Sequence, residues 1–242
     1  MSGYLKNFKI QIEALNKVYH ELIQGIENQV TLKNWWVFGG GTALAMFHFN
    51  HRKSFDIDIF VTEAQVFDFL NPKWYIDETT LFDQTEYRFD GMNNHVQLKT
   101  KDDIKVDFLL NEAIINRPIL NTVIPLDFEL YYESVEDIIA KKVKWRKEDN
   151  LTRDIFDLAV AISKNKDILK DLVESRFISY EDLDKLSESL DSLNEDLYYA
   201  ELEKIEPQGD EYLDIANRAK EIIQTSIEKL NNLKKIRQLF KK

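Results

Sequence analysis

The sequence predicts an α+β fold: a small mixed β-sheet with flanking helices over residues 1–133, followed by an α-helical domain over residues 134–242. Three observations predict it. The β-prone runs are confined to the first half, a glycine turn separates the first of them from a short helix, and from Ser134 onward nearly every segment repeats at helical period.

Leu5, Phe8, Ile12, Leu15, Val18, Tyr19 and Leu22 recur at helical spacing, so the chain opens with an amphipathic helix in residues 4–28 that ends near Gly25. Trp35-Trp36-Val37-Phe38 is a β-prone run stopped by Gly39-Gly40-Gly41, and Thr42 is placed to cap a helix through Phe47. Ile57 to Val61 reads as a second strand, and Tyr87 to Phe89, His95 to Leu98 and Ile104 to Leu110 are three more candidates. Ser134, with Asp137 three residues on, marks the start of the helical half. Pro207-Gln208-Gly209 breaks it late, ahead of one long helix whose apolar line runs through Ile215, Ala219, Ile222, Ile223, Ile227, Leu230 and Leu233.

Composition narrows the function. A hydrophobic content of 44% with 12% aromatics in 242 residues is enough for a sizeable core. No apolar run approaches the roughly 20 residues of a membrane span, and the first residues lack the basic-then-apolar order of a secretory signal, so a cytoplasmic protein is expected. The absence of cysteine excludes disulfides, thiolate catalysis and the common zinc sites. A net charge of −11 repels phosphate backbones, which excludes a general nucleic-acid coat and makes any nucleic-acid contact local. Two basic stretches qualify: Lys141, Lys142, Lys144, Arg146 and Lys147, and the late run Lys229, Lys234, Lys235, Arg237, Lys241 and Lys242. The second is either a solvated helix face or a contact surface for RNA or a partner.

Asp56 and Asp58 lie two apart in a β-prone run, so the pleat turns both carboxylates to one face while Ile57 and Ile59 face the core. At about 4 Å and an effective dielectric of about 20 such a pair repels by roughly 4 kcal/mol, which a hard divalent ion, Mg²⁺ or Mn²⁺, would relieve. The alternative is a solvated Asp-Xaa-Asp at a strand end. Asp107 is embedded in the apolar run 104–110; it either joins Asp56 and Asp58 as a third metal-facing carboxylate or pairs with Lys105 or Arg52. Gly39, Gly40 and Thr42 form a turn whose backbone N–H groups can face a phosphate, though no Gly-Lys-Ser/Thr follows and it is not a P-loop. Ser54 can bond a phosphate oxygen or cap a turn. His48 and His51, with no cysteine nearby, read as surface or core histidines rather than zinc ligands. Lys142 and Arg146 share a helical face and need an anion, supplied either by phosphates or by Asp154 and Asp157 of the next helix.

At these residues the sequence resembles the AbiEii family of the nucleotidyltransferase superfamily, the toxins of type IV toxin-antitoxin and abortive-infection systems. The likeness rests on Gly39-Gly40-Gly41-Thr42-Ala43-Leu44-Ala45, on His51 through Phe60 with its Ser54-Phe55-Asp56-Ile57-Asp58, on Asp107, and on Lys142, Arg146, Arg153, Asp154 and Asp157 in order. The resemblance implies an NTP held between a polymerase-β-like sheet and a helical domain that completes the active-site cleft. It places Asp56 and Asp58 on the metal with Asp107 as a further carboxylate, gives phosphates to Ser54 and Lys142, and leaves Asp157 to orient the acceptor or deprotonate its hydroxyl. Transfer of a nucleoside monophosphate to the 3′ end of tRNA is the implied reaction, and a cognate antitoxin is a candidate partner; the alternatives are a catalytically silent nucleotide- or partner-binding module, or transfer to a protein or small molecule.

Overall fold

The computed structural model describes residues 3–30, 34–111 and 114–239. The chain divides into two compact units: Met1–Phe47, Ser54–Ala113 and Arg117–Ser134 form one, and His48–Lys53, Ile114–Asn116 and Val135–Lys242 the other.

The first unit is built on a seven-stranded mixed sheet. Its strands are β1 (Trp36–Gly39), β2 (Ile57–Val61), β3 (Arg88–Asp90), β4 (His95–Lys99), β5 (Lys105–Leu110), β6 (Ile119–Leu120) and β7 (Tyr131–Tyr132), in the spatial order β3-β4-β5-β2-β1-β7-β6. The β2–β5 and β1–β7 pairs are parallel and the other four antiparallel. Alternation sets the faces: Ile57, Ile59 and Val61 of β2, Val106 and Phe108 of β5, and Val96 and Leu98 of β4 are all fully buried, while Asp58 and Phe60 between them keep partial access to solvent. β6 and β7 escape sequence reading because two residues are too few to display a period.

The expected opening helix is present as a 3₁₀ turn at Gly3–Phe8, α1 (Lys9–Val18), a π-turn at Tyr19–Ile23 and α2 (Gln24–Glu27). It passes through Gly25 instead of stopping there. An interior glycine costs only about 1 kcal/mol relative to alanine, less than the burial of Leu22, Ile23 and Ile26 around it returns. After β1 the chain turns directly into α3 (Gly40–Ala43), continued as a π-helix at Leu44–Phe49. Thr42 does not cap this helix. The N-cap is Gly39, with no side-chain bond, and the Thr42 hydroxyl shares a 2.7 Å hydrogen bond with that of Ser54 instead.

The second unit carries α4 (Val135–Arg146), α5 (Thr152–Lys164), α6 (Ile168–Glu174), α7 (Tyr180–Asp191), α8 (Glu195–Ile205), α9 (Asp210–Asn217) and α10 (Ala219–Leu239). α5 is its centre, burying every residue from Ile155 to Ile162. The single long helix expected after Gly209 is broken at Arg218 into α9 and α10. Beside the break the Tyr198 hydroxyl donates to the Ala216 carbonyl at 2.7 Å. No helix among the described residues is long and apolar enough to cross a membrane.

Candidate functional site

The predicted site residues fall into two groups, one in each unit. In the first unit the parallel pairing of β2 and β5 sets Asp58 beside Asp107, and the antiparallel pairing of β1 and β2 sets Gly39 on the other side of Asp58. Neighbouring strands lie about 4.8 Å apart, so the register alone brings these two carboxylates side by side on one face of the sheet. Asp56, two residues before Asp58 and half-buried like it, has the same parity.

Asp107 is nearly buried and held by three donors. His95 Nε2 at 2.8 Å and Gln97 Nε2 at 2.9 Å share its Oδ1, and Lys105 Nζ lies 2.8 Å from Oδ2. Burial alone would raise its pKa, but the bonds from His95, Lys105 and Gln97 outweigh it and hold the carboxyl below its usual value. Of the two cations the sequence offers Asp107, Lys105 takes the role, and Arg52 pairs elsewhere.

The glycine turn packs against these acids. Gly40 has φ +68°, a left-handed conformation that side chains disfavour, and a Cβ there would stand 2.1 Å from Asp58 Oδ2. At Gly39 a Cβ would stand 2.2 Å from Oε2 of Glu133. The Gly40 amide, expected to face a phosphate, donates to that same Glu133 oxygen at 3.1 Å. Glu133 is a buried acid that sequence reading missed: it follows the two-residue strand β7, and only its place between Tyr132 and the helix-starting Ser134 could have signalled it. Gln11 Nε2 donates to the Ser54 carbonyl at 2.7 Å, fixing the segment that leads to Asp56.

The acids suit a hard cation in their chemistry, since their donor atoms are oxygen and Gly40, having no side chain, leaves the Asp58 carboxylate the space a Cβ would take. Among the described residues no three His, Cys, Asp or Glu side chains are grouped to hold a metal ion. That is compatible with Mg²⁺, which commonly takes one or two carboxylates and completes its shell with water and substrate phosphates.

In the second unit, α4 and α5 are clamped by an ionic network. Asp157, fully buried, accepts from Arg52 through Nε at 2.6 Å and Nη2 at 2.9 Å, and Lys142 Nζ lies 3.0 Å from its Oδ2. Lys142 also bonds Asp154, and Arg146 Nε lies 3.0 Å from the other oxygen of Asp154. Lys142 is buried; Arg146 keeps 37% of its side chain exposed. Thus the carboxylate partners that the sequence offered as one alternative for Lys142 and Arg146 are engaged. Burial opposes ionisation of Asp157, but the Arg52 and Lys142 charges prevail and hold it well below the usual carboxyl range.

His51 completes the network, with Nε2 2.7 Å from Asp157 Oδ1. Burial lowers its pKa despite that carboxylate, so the ring is neutral at pH 7. An ionised carboxylate only accepts, so the proton sits on Nε2, and Nδ1 is left buried without a partner. Of the surface and core readings the sequence left open, the histidine takes the core one.

A separate cavity of about 440 Å³ lies between α5, α6 and α10, lined in part by Ile162, Lys166, Lys170, Lys229 and Leu233. None of the predicted site residues lines it. Lys229 belongs to the late basic run, whose Lys241 and Lys242 lie outside the described residues.

Comparison with known proteins gives a family match over most of the chain. The model described as "Nucleotidyl transferase AbiEii toxin, Type IV TA system" matches residues 22–233. Among solved structures, JHP933 from Helicobacter pylori is 16% identical over 100% of this chain and 99% of its own, with a TM-score of 0.49. MenT4, a nucleotidyltransferase toxin from Mycobacterium tuberculosis H37Rv, is 18% identical over 90% of this chain and 92% of its own, with a TM-score of 0.45. No curated protein matches.

Proposed function

The chain belongs to the AbiEii nucleotidyl transferase toxin family of type IV toxin-antitoxin systems, and from that premise we propose that it transfers a nucleoside monophosphate from an NTP to the 3′ end of tRNA, with Mg²⁺ or Mn²⁺. The acceptor hydroxyl attacks the α-phosphorus, the bond to the bridging oxygen of the β-phosphate breaks, and pyrophosphate leaves while the hydroxyl loses its proton. A divalent ion, when bound, supplies charge neutralisation for the triphosphate and acidifies the attacking hydroxyl.

The observation that carries the reading is the register of Asp58 with Asp107, two strands from separate parts of the chain bringing their acids to one row. Asp56 and Asp58 are the proposed metal carboxylates. Asp107, already held by three donors, is the fixed acid beside them. Gly39, Gly40, Thr42 and Ser54 border the nucleotide in this reading. Arg146, with 37% of its side chain exposed, is the better-presented phosphate ligand, since Lys142 is buried against Asp154 and Asp157. Of the roles implied for Asp157, orientation suits it better than proton removal, because a carboxyl held far below its usual range is a weak base. The protein partner is a cognate antitoxin, and the site of action is the cytoplasm.

The test is incubation with total RNA, Mg²⁺ and each of four α-labelled NTPs in turn, resolved on a gel. Label is expected in the tRNA band with one NTP for the wild type and in no band for Asp58→Asn. Label on protein would move the acceptor to a polypeptide. No label from the wild type with any NTP would overturn the proposal.

A further inference from the structure

The acid row extends one strand beyond the residues that the motifs name. β1 and β7 run parallel with Phe38 beside Tyr132, and the Glu133 amide donates to the Phe38 carbonyl at 3.0 Å, so Glu133 follows in line next to Gly39. Across the sheet the order is Asp107, Asp58, Gly39, Glu133. Gly39 is the gap in that row. With no side chain there, the Glu133 carboxylate lies over the glycine, in the volume a Cβ would fill, and reaches the Gly40 amide. On its other side Gly40 abuts the Asp58 carboxylate, again where a Cβ would fall.

We propose that Glu133 is a positioning residue for nucleotidyl transfer, its carboxylate oxygen pinning the Gly39–Gly40 turn and the turn in its left-handed form fixing where the Asp58 carboxylate stands. The inference rests on the proposed role of Asp58. It assigns Glu133 reach, not charge: what matters is an acceptor oxygen at 3.1 Å from the Gly40 nitrogen. A neutral amide of the same length satisfies that bond, and a carboxylate one methylene shorter does not.

Glu133→Gln and Glu133→Asp separate the two properties. The wild type and both variants are compared for kcat and KM for the NTP, and for hydrogen exchange at the Gly40 amide with no nucleotide or metal present. Glu133→Gln is expected within about threefold of wild type in kcat, with Gly40 protected. Glu133→Asp is expected to lose about ten- to a hundredfold in kcat, the scale of a displacement near 1 Å, with KM within about twofold and Gly40 exchange accelerated. Wild-type kcat in Glu133→Asp overturns the proposal. So does equal loss in both variants, which would make the negative charge the working feature. A wild type inactive with every NTP would instead overturn the transferase reading, while Gly40 exchange would still report whether Glu133 holds the turn.

Discussion

Asp157 shows how much one side chain can bind together. It takes two bonds from Arg52, one from His51 and the Lys142 ammonium, and all four residues are buried. Replacing it by alanine strands a guanidinium and an ammonium in the interior, and breaking a buried pair in this way costs about 3–5 kcal/mol. Asp157→Ala is expected to lose that much in urea unfolding at pH 7, with loss of activity following loss of fold. A change below about 1 kcal/mol would show that water reaches the network and screens it. Arg52 illustrates what residue-level reading confuses: the sequence presents it as a partner for Asp107, four residues from the Asp56 motif, yet it turns to an acid 105 positions away.

At the level of elements, the signals that were legible are those that repeat. β2, β4 and β5 appear where alternation predicts them, and α4 starts directly after Ser134. α7 starts on a capping box: Ser179 Oγ accepts from the Asp182 amide at 3.0 Å while the Asp182 carboxylate accepts from the Ser179 amide at 2.9 Å. Ser179→Ala is expected to cost about 1 kcal/mol, read as a lower denaturation midpoint at unchanged slope. An equal loss in Asp182→Ala would be consistent with the reciprocal box, whereas no loss in either would show that packing of Leu183, Leu186 and Leu190 alone holds the helix. The break between α9 and α10 was not legible, because the apolar period continues through it.

Over the whole molecule, pH acts on the buried charges in one direction. His51, with its folded pKa below 6.5, favours the neutral form in the fold, so its contribution is complete above that value and declines as the pH falls below it. Asp157 and Asp107, both depressed, add stability that is complete above about 3.8 and is lost as the pH falls further. The melting temperature is therefore expected to fall in two stages on acidification, a shallow one beginning near pH 6.5 and a steep one below about pH 4. His51→Gln should remove the first stage only; an unchanged profile would place the first stage in another group. The sequence by itself determined the α+β class, the strands that carry Asp58 and Asp107, and the family, because these depend on periodicity and on residues close together in the chain. Tertiary structure alone decided that Asp58 and Asp107 share a register, that Lys142 and Arg146 meet carboxylates, and that Glu133 closes over Gly39. Those are pairings between distant segments, and a linear pattern of polar and apolar residues records which face a side chain takes but not which partner stands opposite it.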